Sequence, residues 1–291
     1  MKNLSNLANL KKILSKYDFN FTKSLGQNFI INPDVCPMMA DACVNLDSKK
    51  NGILEIGPGI GTLTECLATK FDKIISVEID KKLIPILTEN LLEFNNIEII
   101  NEDILKLDLN KIIEEKFCGF DNITVCANLP YYITSDIIMY LLENNFSFNR
   151  IVIMIQKEVA ERICAEPGSR ICGAITLAVR YFGKPKILFN VNKSSFLPAP
   201  KVDSTVIEIN INKTNSEKIL DKKMFFRLIR AGFNQRRKNL ANSLSQILSI
   251  SKSDVINILE KNNINSNYRA ENLKFEDWAN LSNDIYKLRS N

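Results

Sequence analysis

Residues 52–64 read Gly-Ile-Leu-Glu-Ile-Gly-Pro-Gly-Ile-Gly-Thr-Leu-Thr: a short apolar run, a turn with alternating glycines, then the start of a helical pattern. Downstream the alternation repeats. Apolar runs at 73–79 (KIISVEI), 97–101 (IEIIN), 123–128 (ITVCAN) and 150–156 (RIVIMIQ) are separated by helical patterns that include 63–71, 81–94 and 134–144. Strand–helix alternation predicts a mostly parallel sheet with helices on both faces. Two further runs, 185–191 (PKILFNV) and 204–211 (STVIEINI), flank the turn PAPK at 198–201. Its prolines leave little room for a helical crossover, so this pair predicts an antiparallel hairpin at the sheet edge. The fold class is therefore α/β, with a seven-stranded, mostly parallel sheet.

After about residue 212 the strand pattern stops. A polar linker, INKTNSEK, leads into helical patterns near 222–230, 238–248, 253–261 and 275–287, with Ser251 and Ser253 as candidate N-caps. The predicted organisation is an N-terminal extension (1–20), an α/β domain (21–212) and a small all-α domain (213–291). In the extension, Leu7, Leu10, Ile13 and Leu14 have helical spacing; the sequence leaves open whether such a helix covers a ligand pocket or meets a polymer.

Composition narrows the chemistry. The chain has 291 residues and no histidine, so Ser-His-Asp and Cys-His catalysis and histidine-ligated zinc cannot be built. Its 7 cysteines are scattered with no C-x-x-C pair, which predicts reduced, mostly buried thiols and no iron–sulfur cluster or other metal site. No apolar run approaches the ~18 residues that span a bilayer, and the N-terminus lacks the pattern of a secretory signal, so a cytoplasmic chain without a membrane partner is expected. Net charge is +5, unevenly placed: residues 213–291 carry 15 basic and 8 acidic side chains, which leaves a slight acidic excess before them. The asymmetry points to a polyanion met by the C-terminal part. Gln235-Arg236-Arg237-Lys238, at a helix start, is the candidate phosphate contact, because clustered cations are poorly placed there for the helix dipole.

The glycine turn specifies the ligand further. Gly57, Gly59 and Gly61 alternate, with Pro58 between the first two, whereas a dinucleotide turn has G-x-G-x-x-G. Glu55, just before the turn, would repel a pyrophosphate but attract a sulfonium and an amino group. S-adenosylmethionine is favoured over NAD on these grounds. Glu78 closes the second strand, where a carboxylate can accept both hydroxyls of a ribose. Asp103, after the third strand, is placed to accept an adenine amine. Three acids at successive strand ends share the carboxyl edge of one sheet.

The fourth strand runs into Asn128-Leu129-Pro130-Tyr131. An exocyclic adenine amine is a poor nucleophile because its lone pair is delocalised into the ring. Two acceptors, the Asn128 side-chain oxygen and a main-chain carbonyl near Leu129, would hold its two N–H groups and free the lone pair for attack on a methyl. Pro130 rigidifies the turn, and Tyr131 offers a ring face for the base. No general base is needed to begin, which suits a chain without imidazole. The absence of cysteine from this tetrad disfavours cytosine-C5 methylation.

These residues resemble the KsgA (RsmA) family of small-subunit ribosomal RNA adenine dimethyltransferases. The resemblance runs through KSLGQNFI (23–30), EIGPGIGTLT (55–64), VEID (77–80), NEDI (101–104), NLPYYITSDI (128–137), IQKEVAERI (155–163), FLPAPKVDSTV (196–206), FNQRRKNLANSL (233–244) and YRAENL (268–273). It implies a Rossmann-like class I methyltransferase domain followed by a helical domain. It implies four methyl transfers, two to each of two adjacent adenines near the 3′ end of small-subunit rRNA, on an assembling ribosomal subunit. It implies cofactor contacts at Asn28, Ile30, Gly57, Glu78, Asp103 and Asn128, beside the Glu55 and Gly59 read above. It implies a target adenine held between Tyr131 and Phe196; read alone, Phe196 is a core aromatic. Ile30 stands where leucine is common in the family, a conservative departure. Two alternatives remain: the related large-subunit rRNA methyltransferases that confer macrolide resistance, which differ around Leu129 and Asp203, and a ribosome-assembly factor in which methylation is secondary. A monomer is the default.

Overall fold

The structure, a computed structural model, describes residues 3–144, 146–212, 214–234, 238–248 and 251–290. It divides into two compact units: residues up to Ala160 together with Lys186–Ile211, and Glu161–Pro185 together with the chain from Asn212 onward. The helical unit is therefore not confined to the chain beyond 212. It also takes in 161–185, which sequence order places between two strands of the sheet.

In the first unit the chain forms α1 (Leu7–Lys16), β1 (Phe29–Ile30), α2 (Val35–Cys43), β2 (Asn51–Ile56), α3 (Thr62–Ala68), β3 (Lys73–Glu78), α4 (Ile84–Asn90), β4 (Ile97–Asn101), α5 (Leu109–Lys116), β5 (Asn122–Asn128), α6 (Thr134–Glu143) and β6 (Arg150–Gln156). The chain then makes α7 (Lys157–Cys164) and α8 (Ala174–Phe182), the latter in the second unit, before β7 (Gly183–Val191), β8 (Phe196–Leu197) and β9 (Ser204–Ile211) complete the sheets. The main sheet has seven strands in the order β4-β3-β2-β5-β6-β9-β7. Neighbours from β4 to β6 are parallel, and β9 is antiparallel to β6, from Arg150↔Asn210 to Gln156↔Ser204. The last two strands close the sheet as the Pro-rich turn predicts, with the later one inside and β7 at the edge. The inner strands are buried almost throughout, because helices cover both faces.

Strand order decides where a ligand can sit. From β2 the chain moves outward through β3 to β4, then returns to β5 on the other side of β2. Past the carboxyl ends of β2 and β5 the connecting loops diverge in opposite directions and leave a crevice. Gly57 follows β2 and Asn128 ends β5.

The N-terminal extension packs into this unit. Leu4, Leu10 and Leu14 are buried with Phe29, Ile60, Leu83 and Leu87. Asn6 caps α1 by accepting from the Ala8 and Asn9 N–H groups, and at the far end the Tyr17 hydroxyl and the Lys16 ammonium both reach the Glu89 carboxylate. Beyond this helix the chain turns at Gly26 (φ +59°) and pairs β1 antiparallel with β8, Ile30 opposite Phe196. The cysteines are thiols outside any disulfide; Cys118 is exposed, while Cys36, Cys43, Cys126 and Cys172 are buried.

The second unit holds α8 with α9 (Lys222–Asn234), α10 (Leu240–Leu248), α11 (Lys252–Lys261) and α12 (Phe275–Ser290). Ser251 caps α11 by accepting from the Asp254 N–H at 3.1 Å. Tyr181, Phe182, Phe225 and Phe226 form an aromatic cluster, with Tyr181 and Phe225 stacked at 5.5 Å. Gly232 lets α9 approach α12: a Cβ there would stand 2.3 Å from the Cη2 of Trp278, which is fully buried. Gly232→Ala should therefore destabilise the protein by ~3 kcal/mol, the upper range for overpacking. Thermal unfolding of the variant checks this; a melting temperature equal to wild type would contradict the packing. Among the described residues no helix is long and apolar enough to cross a membrane, and no group of three or more Cys, Asp or Glu could hold a metal ion.

Candidate active site

A cavity of about 830 Å³, its open mouth included, lies at the crevice beyond β2 and β5. Of the residues singled out from sequence, Asn28, Ile30, Gly57, Gly59, Glu78, Asn128, Leu129, Pro130 and Tyr131 line it.

Gly57 and Gly59 carry φ of +70° and +63°, a region where a side chain is strained. No atom stands within 4 Å of where a Gly57 Cβ would project, so the backbone is laid open there, while a Cβ on Gly59 would meet the Phe29 ring at 3.2 Å. Glu78 is only 4% exposed. One of its oxygens accepts the Gly59 N–H at 3.1 Å and the other the Asp80 N–H at 2.8 Å. Each oxygen keeps a lone pair. Burial pushes the carboxyl up to about 7, against the opposing effect of those two N–H groups. Thr62, at the start of α3, also lines the cavity, and its buried hydroxyl has no hydrogen-bond partner among the described residues.

Asn128 ends β5. Its amide Nδ2 donates to the Asn28 carbonyl at 3.1 Å. The opposite orientation would set oxygen against oxygen, so this contact fixes Oδ1 as the free acceptor. Leu129 is buried and its N–H donates to the Met154 carbonyl on β6 at 3.1 Å. The Pro130 carbonyl is already occupied by the Ile133 N–H at 3.3 Å and the Thr134 hydroxyl at 3.0 Å. Tyr131 is half-buried, its hydroxyl shares a hydrogen bond with Ser204 at 2.7 Å, and burial raises its pKa.

Three singled-out residues lie elsewhere than in the lining. Glu55 is fully enclosed: it faces Ser76 across the β2–β3 ladder, and one oxygen accepts the Ser76 hydroxyl at 2.7 Å. Burial pushes its carboxyl up to about 7. Asp103 stabilises the turn after β4, accepting from the Leu105 N–H at 3.0 Å. Phe196 is 3% exposed and belongs to the core with Ile30, Met154 and Val206, because the β1–β8 pairing carries its ring inward. Arg236 and Arg237 lie outside the described residues; Lys238 is exposed. Conversely, Gln27, Phe29, Thr62, Ile79 and Leu83 line the cavity without having stood out from sequence. Of these, Phe29 and Ile79 directly follow expected contacts, Asn28 and Glu78.

The residues present fit S-adenosylmethionine. The open backbone at Gly57, a buried carboxylate with a lone pair on each oxygen, and an orphaned hydroxyl supply contacts for backbone-close packing, ribose hydroxyls and a polar amino-acid end. The lining holds no lysine or arginine.

Comparison with known proteins agrees. The family model for ribosomal RNA adenine dimethylase matches residues 18–287. The ribosomal RNA small subunit methyltransferase A of Alkaliphilus oremlandii is 46% identical over 99% of both chains, and that of Bacillus pumilus 42% over 98% of both. Among solved structures, a dimethyladenosine transferase from Plasmodium falciparum superposes with a TM-score of 0.72 at 27% identity, covering 89% of this chain and 98% of that one. The 23S rRNA methyltransferase ErmE shares the fold, with a TM-score of 0.66 at 22% identity, over 89% of this chain and 99% of that one. From the alternating glycines to the tetrad at the end of β5, the chain belongs to the ribosomal RNA adenine dimethylase family.

Proposed function

We propose that the protein uses S-adenosylmethionine to dimethylate N6 of two adjacent adenines near the 3′ end of small-subunit rRNA, acting as a cytoplasmic monomer on an assembling small ribosomal subunit. The observation that carries the amine half is the Asn128 amide, whose Nδ2 is held by the Asn28 carbonyl so that Oδ1 is left to accept. The target amine would donate one N–H to that oxygen and the other to the Leu129 carbonyl, since the Pro130 carbonyl is taken. With both N–H groups held, the nitrogen lone pair turns out of the ring plane. Tyr131, its hydroxyl fixed by Ser204, offers a face to the base. Bound in the cavity, S-adenosylmethionine supplies an electrophilic methyl group. Glu78 would take its ribose hydroxyls, Gly57, Gly59, Asn28 and Ile30 would pack against it, and Asp103 would reach its adenine edge. Phe196 would join Tyr131 at the base only by leaving the core.

Methyl transfer is assigned to residues 21–212 and RNA binding to 213–291, with Arg236, Arg237 and Lys238 on the phosphates. The basic excess after residue 212 supports that division. Relatives named for the small subunit at 42–46% identity favour it over the large subunit as substrate. Mass spectrometry of rRNA from cells with and without the gene tests the proposal. Dimethyladenosine in small-subunit rRNA should vanish with the gene; its persistence, or a loss confined to large-subunit rRNA, would refute the reading.

A further inference from the structure

Gln27 lies in the Leu25–Ile30 segment that forms one wall of the cavity, yet both ends of its amide are committed within the protein. Its Nε2 donates to Asp80 Oδ2 at 2.7 Å, and its Oε1 accepts the Thr22 N–H at 2.9 Å. Asp80 in turn donates its N–H to Glu78 at 2.8 Å and accepts the Lys82 N–H at 3.0 Å. One residue further along the segment, the Asn28 carbonyl holds the Asn128 amide. The Asn28 side chain donates back to the Gly26 carbonyl at 2.9 Å, which keeps the turn compact. Two consecutive residues thus connect the buried carboxylate at the end of β3 with the amide at the end of β5.

We propose that Gln27 is a positioning residue: its bond to Asp80 holds the Asn28 carbonyl where it orients the Asn128 amide, so the carboxylate side of the cavity and the amine side are set by one segment. The proposal rests on the reading of Glu78 as a cofactor contact and Asn128 as the amine acceptor. The physical reason is that a primary amide has two nearly isosteric orientations and only one leaves an acceptor for the target. A displaced Asn28 carbonyl lets the amide turn its NH₂ toward the target amine, donor against donor. That error impairs the chemical step and leaves RNA affinity nearly untouched, because the RNA is held mainly elsewhere.

The test uses the full chain, S-adenosylmethionine and small ribosomal subunits from cells lacking the gene. Gln27→Ala should lower kcat about tenfold or more with the KM for subunits within about twofold of wild type. Gln27→Glu, of nearly equal shape, sets a second carboxylate against Asp80, with Glu78 behind it and Lys81 and Lys82 following in the chain. Its activity relative to wild type should be lowest near pH 8 and rise about threefold or more toward pH 6, as the two carboxylates come to share a proton and the bond re-forms. A residue that only filled space would show no such profile. A kcat within twofold of wild type for either variant, or a flat ratio across pH for Gln27→Glu, overturns the proposal. If Gln27→Ala fails to fold, the Gln27→Glu profile alone decides. Asn128→Ala and Glu78→Gln serve as references in the same assay. Inactive references with active Gln27 variants sink only the positioning role, whereas references as active as wild type sink the underlying reading of the site.

Discussion

Asn128→Ala is expected to reduce methyl transfer by about 10³-fold, the upper range for removing one preorganised hydrogen-bonding group at a reacting centre. Cofactor affinity should fall by about tenfold at most, because that contact is one among several. The asymmetry follows from the geometry. The Asn128 amide is held by the Asn28 carbonyl before any ligand arrives, so its free oxygen pays no reorganisation cost at the moment of reaction. Asn128→Asp separates acceptance from orientation. The carboxylate still accepts, but it has no donor for the Asn28 carbonyl and sets a negative oxygen against it. Its activity should lie about tenfold above the alanine variant and well below wild type. Single-turnover transfer of labelled methyl, alongside calorimetric titration with S-adenosylmethionine, checks both. Equal losses in rate and cofactor affinity would show that Asn128 serves cofactor binding alone.

Glu78→Gln is expected to weaken S-adenosylmethionine binding by about 100-fold, the equivalent of two hydrogen bonds to a charged acceptor at the lower end of their range. The amide is a poor substitute for a specific reason: both carboxylate oxygens accept main-chain N–H groups, from Gly59 and Asp80. Either orientation of glutamine turns an NH₂ toward one of these donors. The pH dependence should also disappear. In the free protein the Glu78 carboxyl titrates at about 7 because burial disfavours the anion. Ribose hydroxyls donate to the anion, so wild-type affinity should be flat above about pH 7.5 and fall, approaching tenfold per pH unit, as pH drops below about 7. Linkage gives the matching sign for stability. A carboxyl raised from 4.5 to about 7 on folding favours the folded state most below about 4.5, and that contribution, on the order of 3 kcal/mol, is lost as pH rises through 7. The thermal shift produced by the cofactor should therefore grow between pH 6 and 8 in wild type and stay flat in Glu78→Gln. An affinity independent of pH in wild type would show that Glu78 is not the contact.

Much of the sheet was legible because its signals are local. The run 97–101, the run 150–156 and the run 204–211 coincide with β4, β6 and β9 residue for residue, since apolar alternation and turn residues need no tertiary information. Gly57, Glu78 and Asn128 were legible because each sits at a strand's carboxyl end, where topology alone sends ligands. Gln27 and Thr62 were not, because nothing in a string of residues tells which loop folds back over that edge or which hydroxyl is left without a partner. The helical spacing of Leu10 and Leu14 could be read, but not that Ile60 and Leu87 would receive them. Residues 161–185 lie between two strands in sequence and in the helical unit in space, a separation that only long-range packing reveals. Phe196 reads in two ways from its sequence context, and burial decides its place in the free protein.

The insertion of β9 between β6 and β7 sets an order of events during synthesis. Until Ser204 and the residues after it emerge, β6 has no neighbour on its outer side, and the donors and acceptors from Arg150 to Gln156 form an open template for any other extended chain. The wall of the cavity waits equally long, since Phe29 and Ile30 find their partners only at Leu197 and Phe196. Contacts so distant along the chain close slowly. A nascent chain that stalls before this point carries every glycine and carboxylate lining the cavity but leaves both the cavity wall and the edge of β6 unpartnered, so the synthesis of residues 157–211 is the interval in which that edge stands open.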